Sequence, residues 1–160
     1  MADLFDPREV TEDEVDAAWV GLWAHSELLG RNEGSVLAFD LGTVFAWCLL
    51  ESGVPAMSGW LETARKGEGG STRLFRFRTA MQELLDHAKP TVVAYEKPAL
   101  RSSTSTWAVK MAGLLETECE ARSLPYTSVA PNTLKKWATG HGGSSKEAMR
   151  ACLIIRMDGP

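Results

Sequence analysis

The chain has 160 residues, 44% of them apolar and 24% charged, with 21 acids against 17 lysines and arginines for a net charge of −4. That is enough chain for one domain with its own core, and it excludes a charge-dominated disordered polymer. With no run of 18 apolar residues, it also excludes a helical membrane span. The charge is unevenly spread: residues 1–33 hold nine acids against Arg8 and Arg31, and residues 34–160 hold twelve acids against fifteen lysines and arginines. The acidity therefore belongs to the N-terminal part, and the remainder is mildly basic, which permits a polyanionic partner without requiring one.

In chain order, MADLFDPREV lacks the basic and apolar regions of a secretory leader. Thr11 to Leu29 is expected to be an amphipathic helix, with a Thr11/Glu14 capping box, a stop at Gly30, and Val15, Ala18, Trp19, Leu22 and Leu29 on one stripe. Two readings of this helix stay open. It packs on the outside of the domain, or it offers a partner surface or an acidic cover over a basic cleft. Ser35 to Thr43, SVLAFDLGT, is a strand apolar on both faces that ends on Asp40 and turns on Gly42. Thr43–Leu50 and Val54–Leu61 follow as strands, joined through Glu51-Ser52-Gly53 as a hairpin.

After a glycine-rich loop, Arg73–Ala88 reads as a helix with Leu74, Phe77, Met81, Leu84, Leu85 and Ala88 at helical spacing. Thr91 to Pro98, TVVAYEKP, repeats the first strand's design and ends on Glu96. A Ser/Thr-rich loop leads to a helix from about Trp107 to Arg122, then a short strand over Pro125–Val129 and a helix over Pro131–Ala138. Ser144, with Glu147 three residues on, is expected to cap a last helix reaching Met157. Cys48, Cys119 and Cys152 are far apart among apolar neighbours and read as reduced thiols of an intracellular protein. A hairpin meander followed by strand–helix alternation gives an α/β fold: a mixed five-stranded sheet flanked by helices, the ribonuclease H-like arrangement. Residues 1–33 form an acidic helical extension to it, and residues 34–160 form the domain proper.

Two buried-type strands each ending in an acid form the focus of the chemistry. An unpaired carboxylate is costly inside a sheet, so each needs a partner, a solvent opening or a metal ion. SVLAFDLGT, TVVAYEKP and YTSVAPNTLKKWATGHGGSSKEAMR together resemble the RuvC family of Holliday junction resolvases, most closely its phage-type members, from about Ser35 to the end. The resemblance implies that Asp40 and Glu96 bind Mg2+ or Mn2+ beside a scissile phosphate. It also implies that Lys146 lies near the catalytic pocket, that the substrate is branched DNA, and that the protein is a homodimer of the bacterial or phage-infected cytoplasm without membrane association. Oxygen ligands suit such hard ions, and neighbouring strand ends can present them rigidly. For Lys146, a plain surface position in a first helical turn is the competing reading.

The family carries further acidic ligands in a C-terminal helix. Here the sequence ends Met157-Asp158-Gly159-Pro160, about where that helix is due. The expectation is a chain lacking it, with three accounts open: truncation, which a Gly-Pro ending favours; binding without cutting; or a site completed by Asp158 or by another chain. For substrate phosphates the candidates are Arg65 and Lys66 in the glycine-rich loop, then Arg73, Arg76 and Arg78. Arg101, Ser102, Ser103, Thr104 and Lys110 are further candidates around the Ser/Thr-rich loop. Phe75 and Trp107 could stack on an unpaired base, with a core position the competing reading for both. His141 could assist proton transfer or simply be a solvated loop residue. GHGGSSK lacks the glycine before lysine of a Walker loop. Asp40-Leu41-Gly42-Thr43 also resembles the first phosphate motif of actin/Hsp70-type proteins, which need a second similar domain that this chain is too short to hold.

Overall fold

The computed structural model describes residues 6–30, 33–99 and 103–158. Helix α1 spans Glu12–Ala24 and continues as one π turn over His25–Leu29, closed by Gly30 at φ +59°. The Thr11/Glu14 capping box is formed in full. Strands β1 (Ser35–Asp40), β2 (Val44–Glu51) and β3 (Val54–Glu62) make the meander. Ser52 and Gly53 take φ +50° and +79° in the β2–β3 hairpin, as its tight turn requires. Then come α2 (Gly70–Ala88), β4 (Val92–Glu96), α3 (Ser103–Ala121), β5 (Tyr126–Val129), α4 (Pro131–Thr139) and α5 (Lys146–Asp158).

The strand order is β3-β2-β1-β4-β5, antiparallel within the meander and parallel for β1–β4 and β4–β5. Alternation splits the strands' side chains between two apolar layers. On one face Leu37, Phe39, Phe45 and Val93 pack under α2 and α3, against Phe77, Met81, Met111 and Leu115. On the other, Val36, Ala38, Val92 and Ala94 pack against α1, α4 and α5 through Trp19, Leu134, Met149 and Leu153.

The expectation that α1 lies on the outside of the domain is corrected. Val15, Ala17, Ala18, Trp19, Val20, Leu22 and Ala24 are all buried, so the helix is covered nearly all round, by the sheet beneath and by α4 and α5 alongside. Small residues set its height. A Cβ on Gly21 would stand 2.1 Å from Leu50 Cδ1 and 3.2 Å from Ala38 Cβ, so α1 lies as close to β1 and β2 as a backbone can. Trp19 Nε1 donates to the Met149 carbonyl at 3.0 Å. Arg150 donates to the carbonyls of Pro7 and Val10 at 2.9 Å, and Arg8 pairs with Asp158. The last helix thus lies against the segment that leads into the first, Pro7 to Val10. Its cap also differs from the expectation: α5 starts at Lys146, with Ser145 Oγ accepting from Ala148 N at 3.3 Å. Ser144 instead bonds the His141 carbonyl and Thr139.

Candidate metal centre

Strand β1 delivers Asp40 and β4 delivers Glu96. Their parallel register, with Ala38 opposite Ala94 and Phe39 opposite Tyr95, brings the two strand ends side by side. Alternation then turns both acids toward the α1 face, the side taken by Val36, Ala38, Val92 and Ala94. The first turns of α1 supply Asp13 and Asp16, three residues apart and so on one side of the helix. One carboxylate oxygen from each of Asp13, Asp16 and Asp40 lies within 4.8 Å of the other two, all three residues half-buried.

Such crowding is electrostatically expensive without a cation. Burial first, and then the charges of Glu96, Asp16 and Asp13, hold the Asp40 carboxyl well above the ordinary carboxylate range. Burial, aided by Asp16, pushes Glu96 up to about 7. Asp16 is also raised, mainly by burial, against the pull of Lys146. Two positive charges offset the acids: Lys135 of α4 acts on Glu96 and Asp16, and Lys146, opening α5, has its Nζ 3.3 Å from Asp13, 3.4 Å from Asp16 and 3.9 Å from Glu12. The donor set consists of hard oxygens, half-buried and under mutual repulsion, which fits a divalent Mg2+- or Mn2+-type ion. Glu14, although buried between Asp13 and Asp16 in sequence, is accounted for by the capping box and by Ser58 Oγ at 2.7 Å.

No protein-family model matches the chain. Among curated proteins it is similar to the crossover junction endodeoxyribonuclease RuvC of Pseudarthrobacter chlorophenolicus. The two are 32% identical over 92 residues, which cover 55% of this chain and 48% of that one. RuvC of Prochlorococcus marinus is 29% identical over 101 residues, covering 62% and 64%. The chain thus spans about half to just under two thirds of these relatives' length. The solved structure of Thermus thermophilus RuvC superimposes with TM-score 0.59 at 20% identity, over 77% of this chain and 78% of that one. The same protein in complex with a Holliday junction substrate gives 0.64 at 18%, over 78% of each. The yeast mitochondrial Holliday junction resolvase Ydc2 gives 0.58 at 18%, over 91% and 75%. The chain has the RuvC-type fold.

Within this RuvC-type domain, the sequence-based candidates separate. Asp40 and Glu96 stand at neighbouring strand ends, Glu96 outside the three-acid group of Asp13, Asp16 and Asp40, and Lys146 faces Asp13 and Asp16. Asp158 is not brought to them: it closes α5 and pairs with Arg8. The acids that sequence reasoning missed are Asp13 and Asp16, from the opposite end of the chain. Their signal was present as an Asp-x-x-Asp pair between a capping box and an apolar stripe, but it lay hidden among nine acids.

Among the cations, Arg65, Lys66 and Arg78 are exposed. Arg76 is tied to the Thr63 carbonyl and to Glu68, both at 2.6 Å. Arg73 is buried, and Lys110 lies over the Trp107 ring. Arg101 and Ser102 fall outside the described residues, and Ser103 and Thr104 begin α3. Phe75 is 71% exposed, which corrects the competing reading that put it in the core. His141 is exposed, its Nδ1 accepting from Gly143 N at 3.2 Å.

Proposed function

We propose that this chain is a Mg2+- or Mn2+-dependent endonuclease that hydrolyses phosphodiester bonds in branched DNA, acting on Holliday junctions as a homodimer. The observation that carries the reading is the convergence of Asp13, Asp16 and Asp40 within 4.8 Å beside Glu96, on a RuvC-type fold. Asp13, Asp16, Asp40 and Glu96 are the residues that would hold the metal. Bound there, a divalent ion would supply Lewis-acid stabilisation of the reacting phosphate and a more acidic water.

The chain's own groups do the rest. Strand ends and a buried helix keep the carboxylates from swinging, so little reorganisation is needed when substrate arrives. Lys146 balances the acids in the resting protein and is free to follow the scissile phosphate when a cation takes over that task. Arg65, Lys66 and Arg78 line up backbone phosphates without reading sequence. Cutting two strands symmetrically calls for two copies related by a two-fold axis. The alternative, a branched-DNA-binding module without catalysis, rests on the absent C-terminal acidic helix, and the carboxylates that Asp13 and Asp16 bring to Asp40 favour the catalytic reading.

Cleavage of a labelled four-way junction, with and without Mn2+, tests the proposal. Metal-dependent nicking is expected, with D40N and D16N each lowering the rate at least 100-fold while still shifting the junction in a gel. Cutting that survives both substitutions would contradict the assignment.

A further inference from the structure

Arg73 is the odd charge on the other side of the β1 end. It sits in the first turn of α2 and is 8% exposed. Its Nε donates to Thr63 Oγ1 and its Nη2 to Thr43 Oγ1, each at 3.2 Å. Both acceptors are neutral, and among the described residues no carboxylate pairs with it. Burial alone pushes its pKa down, with no acid offsetting the shift. Other arginines here differ: Arg76 has Glu68 at 2.6 Å, and Arg122 has Asp86 and Glu118 at 2.6 and 2.8 Å. A buried guanidinium held in a fixed plane by two hydroxyls, and lacking its own anion, is built to receive one.

The surroundings add to this. The Arg73 guanidinium carbon lies 5.4 Å from the centre of the Trp107 ring, and Lys110 Nζ lies 4.5 Å from the same centre. Two cations therefore converge on one indole. That ring lies against the start of α2, where a Cβ on Gly70 would meet it at 1.9 Å, so only glycine permits the approach. Helix α2 itself begins at N-cap Gly69 with no side-chain cap and no acid in its first turn, so no side-chain oxygen offsets the positive end of this 19-residue helix. Thr43, which anchors Arg73, is three residues beyond Asp40, so at most roughly 11 Å of extended chain separates them.

Building on the nuclease reading, we infer that Arg73 and Lys110, supported by Trp107, form a second anion site that takes a non-scissile backbone phosphate of the DNA beside the metal centre. The site sets where the strand lies relative to Asp40 and carries no base preference.

The test uses the full chain in EDTA, so that nothing is cut, and a four-way junction carrying one neutral methylphosphonate at successive positions near the crossover. In the wild type, one non-scissile position is expected to cost about 5- to 10-fold in affinity when neutralised. R73M should lose a similar factor on the unmodified junction and nothing more at that position. Its slope of log affinity against log salt should be shallower by about 1. K110M, an exposed lysine with no buried contacts to lose, should repeat the pattern at about 2- to 3-fold, and it decides alone if R73M fails to fold. R122M, at the far end of α3, should bind as wild type.

Wild-type affinity and salt slope in K110M and in a folded R73M would overturn the inference. So would weakened R73M binding in which every methylphosphonate penalty persists, since that marks a structural role only. A wild type that binds no branched DNA would instead overturn the function proposed above, and the inference with it.

Discussion

Both faces of the sheet carry a buried apolar layer, yet among the described residues only one of them ends in a cluster of acids. Under α2 and α3 the strands present Phe39 and Phe45, stacked with ring centres 5.3 Å apart, and Phe45 meets Phe77 edge-to-face at 4.9 Å. Bulk there holds the helices away from the strand backbones, and a long arginine, Arg73, reaches Thr43 just beyond the β1 end from that side. Under α1 the strands present Ala38 and Ala94, and the helix answers with Ala17, Ala18 and Gly21. Small residues on both sides let the backbones approach, so side chains as short as aspartate can meet across the interface. Packing height, set by residue volume, decides which face can hold a cation.

Substitutions on each face should therefore separate stability from metal binding. F77A removes a fully buried ring and is expected to cost about 3–5 kcal/mol in urea unfolding. Its Mn2+ affinity should stay unchanged while the protein remains folded. G21A adds one methyl group and is expected to cost only about 1–3 kcal/mol. Because that methyl lifts α1 from β1, Mn2+ affinity should fall at least 10-fold. Equal effects of the two substitutions on metal binding would break the comparison.

The acids also make the α1 face sensitive to pH. Glu96 is raised from 4.5 to about 7, so the folded chain holds its proton where the unfolded chain has released it. Stability of the metal-free protein should accordingly fall as pH rises from about 4.5 to about 7, by up to ~3 kcal/mol, and Asp40 acts in the same direction. In EDTA, E96Q should flatten that dependence and be more stable than wild type at pH 8. Adding Mn2+ at pH 8 should restore most of the loss in wild type. A wild-type stability that rises from pH 5 to 8 in EDTA would contradict the repulsion described for this face.

A smaller effect is expected at Lys146, whose ammonium stands in front of Asp13 and Asp16. K146M should tighten Mn2+ binding by about 3- to 10-fold, as one competing positive charge is removed from a partly exposed pair. The metal-free protein should at the same time become slightly less stable. Weaker Mn2+ binding in K146M would show that the ammonium does not compete with the ion.

Much of this was legible in the residues alone. Strand alternation in SVLAFDLGT and TVVAYEKP places Asp40 and Glu96 each at the end of its strand, on the face of its own alternate residues, because strand periodicity is local. That β1 and β4 are neighbours followed from the family resemblance and is seen in their register. The hairpin at Ser52-Gly53 and the box at Thr11/Glu14 were readable for the same reason. The role of α1 was not. Its apolar residues announce burial, but which sheet face it covers depends on contacts with strands and with helices far along the chain. Asp13 and Asp16 look like members of a solvated acidic run until α1 is laid over Ala38 and Ala94. Phe75 is a milder case: two residues before Phe77 on a helix, it points nearly the opposite way, and the periodicity of α2 already left it off the buried stripe.

The central claim is that acids from the first helix complete a cation site begun by the strands. Calorimetric titration of Mn2+ into wild type and D16N, at pH 7.5 and with folding checked by circular dichroism, tests it most directly. A saturable wild-type isotherm reduced at least 30-fold in affinity in a folded D16N is the expected result. A D16N isotherm that matches wild type would contradict it.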